Sequence, residues 1–420
     1  MRQNTILAAV VLSLFSSALH AGEWPQILGP HRNGIAENET ITDSFPAGGP
    51  RVVWQREAGS GFAGPAVAGG KLVLFHRLRD EEIVEALDAR NGKPLWKRAF
   101  PAEYLPSYTS DDGPRAVPLI HKGRVYVYGA QGDLRCLALG DGSVVWSRDA
   151  YEEYNSKRPF RGEPPEGYFG IGTSPIVEGD KLLLNVGGDE SQAGIVAFAL
   201  DDGKTVWKST AERASYSSPV AATVDGVRHV VFCTRLNVVS LDPQTGDVRF
   251  QFPFGLTGPK VTAANPVVIG DHLFVNASYG IGAAWAKIER NDAEVIWRGE
   301  DLLASQYSTP IAHDGLLYGI HGRQDLGVAA LRCVDPATQK VQWSEENFGY
   351  ATLISAGGKL IILTTEGELV LAELSSREYA ELDRARLFTK ETRALPALSG
   401  GMLYARDAGT LRCFDLRKRE

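Results

Sequence analysis

Apolar and polar residues alternate from Val84 to Asp88, break at Ala89-Arg90-Asn91-Gly92, and resume through Lys93-Pro94-Leu95 to Trp96. The alternation fits a half-buried strand. Asp88 can accept from backbone N–H groups ahead of it, and Gly92 supplies the positive φ of a tight turn, so the phrase predicts a hairpin ending on tryptophan. The phrase recurs. Leu134 to Gly142 ends on Trp146, Ile195 to Gly203 on Trp207, Val238 to Gly246 on Phe250, and Leu331 to Gln339 on Trp343. Ala284 to Trp297 is a degenerate copy with Asn291-Asp292 in the turn.

A second phrase precedes each copy: small residues, a proline, an apolar pair, a glycine turn and a β-rich run. Gly64-Pro65, Ser174-Pro175, Ser218-Pro219, Asn265-Pro266, Thr309-Pro310 and Leu395-Pro396 open its copies. Each full repeat is therefore two hairpins, or four strands. Trp96 and Trp146 are 50 residues apart, and Trp297 and Trp343 are 46 apart. Four strands at that period predict the blades of an all-β propeller. Strand-ending positions at Trp54, Trp96, Trp146, Trp207, Phe250, Trp297, Trp343 and after Leu382 give eight four-stranded antiparallel blades, with seven as the alternative.

The blades are expected near 60–100, 114–150, 170–210, 214–254, 262–300, 306–346, 350–390 and 394–416. The last lacks a Trp-ended strand, whereas Arg51-Val52-Val53-Trp54 is an ending without a beginning. The N-terminal strand should complete the last blade and remove the open edges of an unclosed ring. The expected organisation is a leader at 1–21, a lead-in packed on the propeller surface at 22–50, and the propeller at 51–420. Connections 101–114 and 151–172 are longer than the rest. The second, rich in proline and aromatics, is expected to be an ordered loop, either functional or a strap over the ring face.

The chain carries a formal net charge of −7, without a basic stripe, which argues against nucleic acid as its main partner. Arg2, the apolar run Ile6 to Leu14 and Ala21 read as a secretory signal cleaved near Ala21, giving a periplasmic or secreted protein. No later stretch reaches the ~18–20 apolar residues of a membrane span. A monomer is expected. Cys136, Cys333 and Cys413 occupy one repeat position in different blades, too far apart for the roughly 7 Å Cα separation a disulfide needs. With Cys233 they are expected as free, buried thiols, with a metal site as the alternative.

The repeats resemble the pyrroloquinoline quinone (PQQ)-type eight-bladed propeller family. The residues that carry the likeness are Ala86-Leu87-Asp88 to Gly92, Asp242 to Gly246, and the tryptophans Trp96, Trp146, Trp207, Trp297 and Trp343. The segment Trp24 to Gly34 looks like the opening of the family's secreted bacterial branch; the outer-membrane protein assembly lipoprotein is another member by fold. The resemblance implies that the tryptophans, with Trp54, dock between blades. It also implies that a quinoprotein dehydrogenase would hold PQQ with a vicinal cysteine pair, and calcium with a carboxylate and an amide. No adjacent cysteines occur here, and no motif supplies those ligands.

No catalytic or metal set stands out: the histidines lie in different repeats, without metal-ligand spacing. The candidate binding residues precede the innermost strands or follow the second strands, positions that open on one face of a propeller near the axis. They are Tyr216, Ser217, Asn265, Tyr279, Tyr307, Ser308, His321, Arg323 and Tyr350. Together they would rim a polar, aromatic funnel; the alternative is that Ser/Thr-Pro merely satisfies backbone at the crowded axis. The expected function is a non-catalytic binding or scaffold propeller for a protein, small-molecule or glycan ligand, without a cofactor. A PQQ- and calcium-dependent dehydrogenase is the alternative. A polysaccharide-binding propeller that uses Tyr216, Tyr279, Tyr307 and Tyr350 is a second one.

Overall fold

The computed structural model describes residues 22–106, 108–156 and 169–418. The signal expected at 1–21, and the centre of the 151–172 connection, lie outside them. Eight four-stranded antiparallel sheets follow one another along the chain. Blade 1 is Ala66–Ala68, Lys71–Leu78, Glu81–Asp88 and Pro94–Pro101. Blades 2 to 7 begin at Leu119, Ile176, Val220, Val267, Ile311 and Ala351, each repeating the same innermost-to-outermost order. Blade 8 is Ala397–Ser399, Met402–Arg406 and Thr410–Asp415, completed by Arg51–Glu57, with Trp54 opposite Cys413.

The tryptophan and the turn glycine of the repeated phrase form one device. The outermost pairing slips by one residue beside the tryptophan: Ala86 pairs with Trp96, then Leu87 with Pro94. The extra residue, Leu95, points outward at 49% exposure, while Trp96 turns inward at 7%. Its Nε1 donates to Leu139 O of blade 2 at 2.9 Å. The indole lies on Gly142 of that turn, where a Cβ would sit 2.5 Å from Trp96 Cε3. Trp54 reaches Ala89 O, Trp146 Leu200 O, Trp207 Pro243 O, Trp297 Pro336 O and Trp343 Ser375 O, at 2.7–3.3 Å. Each bond ties a blade to the next, and the large ring with one polar N–H fits that junction.

Behind three of these tryptophans the blades repeat a Tyr–Cys–Trp row across neighbouring strands: Tyr126–Cys136–Trp146, Tyr318–Cys333–Trp343 and Tyr404–Cys413–Trp54. All four cysteines are free and buried. Burial pushes the thiols of Cys136 and Cys333 up to about 11, and those of Cys233 and Cys413 to about 12. They act as small apolar fillers.

The lead-in packs against five of the blades. It runs along the axis side of the ring. Trp24 pairs with Val67 of blade 1, and Pro25 O accepts from Ile120 N of blade 2. Arg32, 3% exposed, donates to Pro175 O at 2.8 Å and Ser174 O at 3.2 Å in blade 3. Ile35–Ala36 then adds a parallel strand to blade 7, and Thr42 N reaches Leu416 O of blade 8. The reason is the unpaired inner edge that an innermost strand leaves at the axis: its backbone groups need partners, and in blades 1, 2 and 7 the lead-in supplies them.

Candidate functional site

Every innermost strand except that of blade 7 begins just after a proline, and the residues before that proline divide the work. The residue immediately before it serves the neighbouring blade. Val117 N donates to Ser174 Oγ, Ser174 N to Ser218 Oγ, Ser218 N to Asn265 Oδ1 and Asn265 N to Thr309 Oγ1, at 2.7–2.9 Å. This hydrogen-bonded belt runs from blade 2 to blade 6. It satisfies backbone N–H groups that the crowded axis shuts away from water. For these residues, then, the backbone-satisfying alternative is what the geometry shows.

The residue three places before the proline faces the axis instead. Phe62, Arg115, Gly172, Tyr216, Ala263, Tyr307 and Arg393 hold this position in the seven proline-bearing blades, and all line one cup. Val117, Asn265, Thr309, Thr352 and Leu395 lie among them, Tyr279 and Gln306 stand at one side, and Ile27 from the lead-in also lines the cup. The volume is about 190 Å³, below the ~300–1,000 Å³ of drug-sized ligand sites.

The structure splits the expected site residues. Tyr216, Asn265, Tyr279 and Tyr307 line the cup. His321 and Arg323 line a recess between blades 5 and 6, and only Tyr279 belongs to both spaces. Ser217, Ser308 and Tyr350 are buried, at 2%, 1% and 4% exposure. The Tyr350 hydroxyl accepts from Tyr307 N at 2.6 Å and Ser308 N at 2.9 Å, and its ring centre is 4.5 Å from that of Tyr307. It buttresses Tyr307 and cannot offer a face to a ligand. Phe62, Arg115 and Arg393 carry no motif of their own and were not among the expected residues. Their shared offset from the proline was the available signal.

Tyr279 is held at φ 65°, a costly conformation for a bulky residue. Its ring lies 4.2 Å from Arg323 Cζ, and its hydroxyl accepts from Gln306 Nε2 at 2.7 Å. On the opposite side of the cup, the Phe62 centroid is 5.4 Å from Arg115 Cζ and 5.1 Å from Arg393 Cζ. Burial lowers the Arg115 guanidinium from its ordinary range, Asp111 opposes that shift, and Arg393 adds repulsion. Burial raises the phenols of Tyr279 and Tyr307. His321, outside the cup, is lowered by burial and its Nδ1 accepts from Ala304 N.

The described lining holds no carboxylate, histidine or cysteine, and therefore no nucleophile–base pair. Among the described residues no three His, Cys, Asp or Glu side chains cluster as metal ligands. What the cup presents is shape, aromatic faces, hydroxyl and amide groups, and two cations.

A family profile described as outer membrane protein assembly factor BamB matches residues 79–345. The chain belongs to this family. The outer membrane protein assembly factor BamB of Yersinia pestis is 19% identical over 247 residues, 57% of this chain and 54% of that protein. The chain thus spans about half the length of that curated relative. Among solved structures, BamB from Moraxella catarrhalis superposes with a TM-score of 0.61 at 15% identity, covering 88% of this chain and 98% of that one. The quinohemoprotein alcohol dehydrogenase of Comamonas testosteroni gives 0.65 at 15% identity, covering 96% and 82%. At these identities the structural likeness speaks for the shared eight-bladed fold alone. No helix among the described residues is long and apolar enough to cross a membrane.

Proposed function

We propose that this BamB-family propeller is a non-catalytic binding scaffold of the cell envelope, holding a segment of a protein partner against its cup face. The observation that carries the reading is the cup itself. Seven blades aim the same repeat position into one small cup, with binding groups and no reacting pair among the described lining residues. Two features agree with an envelope location: the signal-like residues 1–21 and a relative named as an outer membrane assembly factor.

The donor set does not suit the cofactors of the dehydrogenase alternative. Calcium takes about 6–8 oxygen ligands that include carboxylates, and no described residue of the cup offers one. The adjacent cysteines that the resemblance implies for PQQ are also missing from the sequence.

A photo-crosslinking amino acid placed at Leu395, on the cup, and separately at Val206, on the exposed outer edge of blade 3, tests the reading in cells. A discrete protein adduct from position 395 and none from 206 supports it. Adducts from 206 alone, or from neither position, contradict it.

A further inference from the structure

We infer that the cup selects a carboxylate carried on a single ring-sized apolar group. The inference rests on the cup being the binding site and adds the chemistry of its occupant. Phe62, Arg115 and Arg393 are the axis-facing residues of blades 1, 2 and 8, three neighbours in the ring. Tyr216, Ala263 and Tyr307 hold that position in blades 4, 5 and 6, across the axis. The cup is thus two-sided, with paired guanidinium groups around one phenyl ring facing tyrosines and a small apolar gap.

Neither arginine is used up by its neighbours. Arg115 donates to Gly113 O and Asp111 O at 3.0 Å, and its ion pair with Asp111 is long, at 3.6 Å. Arg393 holds Glu391 at 3.0 Å, while its Nε is buried with no partner among the described residues. A guanidinium carries five donors and prefers a planar, bidentate acceptor, which a carboxylate is. The two guanidinium groups, both against the Phe62 ring, also repel each other. An anion between them relieves that repulsion, and exclusion from water strengthens the attraction.

Size sets the rest of the ligand. The space is about 190 Å³, against the ~150 Å³ cavity that accepts benzene. One ring fits, with its apolar face toward Ile27, Val117, Ala263 and Leu395. Such a group can come from a free aromatic acid or from the C-terminal residue of a peptide.

Titration calorimetry of the whole chain with benzoate, benzamide, Gly-Gly-Phe and Gly-Gly-Phe amide separates the possibilities. At least one acid should bind about tenfold or more tightly than its amide, the usual worth of a charge-assisted hydrogen bond. The acid that binds names the source. Arg393→Gln, on the cup rim, should bring the acid down to the level of its amide, and Arg393→Lys should recover part of the loss. Phe62→Leu, which keeps both cations and removes their platform, should weaken the acid as well, with unchanged circular dichroism showing that each variant folds. Equal binding of acid and amide would overturn the inference and leave the cup as an apolar site. Binding of neither overturns it too, and the crosslinking experiment then decides the broader reading by itself.

Discussion

Adding one methyl group at Gly142 tests whether the blade junctions are energetic units. Gly142 has φ 74°, and a Cβ there would lie 2.5 Å from Trp96 Cε3 and 2.6 Å from Cδ2. Gly123, in another turn of the same blade, has the same φ of 74° with nothing within 4 Å of its Cβ position. Gly123→Ala therefore carries only the left-handed backbone cost of about 1–2 kcal/mol. Gly142→Ala carries that cost plus about 1–3 kcal/mol for displacing a packed indole. The expected difference between the two variants is about 1–3 kcal/mol, read from urea unfolding followed by circular dichroism. Trp96→Ala alone should lose about 3–5 kcal/mol. In that background Gly142→Ala should cost no more than Gly123→Ala, because the atoms it collides with are gone. Equal losses for the two glycines, or a Gly142 cost indifferent to Trp96, would refute the view that each blade is seated through its tryptophan.

Two other outcomes follow from buried polar groups. His229, fully buried with its Nδ1 against Ser240 Oγ at 3.0 Å, is pushed down to about 4 by burial. The unfolded chain takes up this proton near pH 6.5 and the folded chain only near 4. Stability should fall as the pH drops from about 6.5 to 4 and be flat above. His76, His121 and His321 shift the same way, so His229→Gln should make the fall shallower without abolishing it; an unaltered profile would contradict the assignment. Arg32→Met keeps the apolar stem of the side chain but leaves Ser174 O and Pro175 O without their donor, at about 1–3 kcal/mol per orphaned group. Limited proteolysis should then nick the 22–50 segment ahead of the blades, and wild-type protection would show that Arg32 does not hold it.

The ring was readable from the chain because its defining groups recur at fixed offsets. A turn glycine such as Gly142 and a strand-ending tryptophan such as Trp96 mark the outer hairpin of several blades in the sequence. Their contact across neighbouring blades is what makes that spacing necessary. Closure through Trp54 could be inferred because an ending without a beginning must pair with a beginning without an ending. The path of the lead-in could not be inferred: Trp24 to Gly34 has no period, and Arg32 is held by carbonyl groups of blade 3, far away in sequence. The candidate site was half legible for a similar reason. Serine and threonine before proline drew notice to the axis, yet the belt uses them for backbone. Much of the lining comes from the position two residues earlier, where Phe62, Arg115, Tyr216 and Arg393 share geometry but no chemical type.

In the proposed function the axial cup, lined in part by Ile27 of the lead-in, is where this propeller engages its partner. A density map of the protein purified from its own host together with what it binds tests that most directly. The expected map holds a group of one-ring size seated against Phe62, with an oxygen pair facing Arg115 and Arg393. A partner found on the outer strands of the blades, with the cup unengaged, would contradict it.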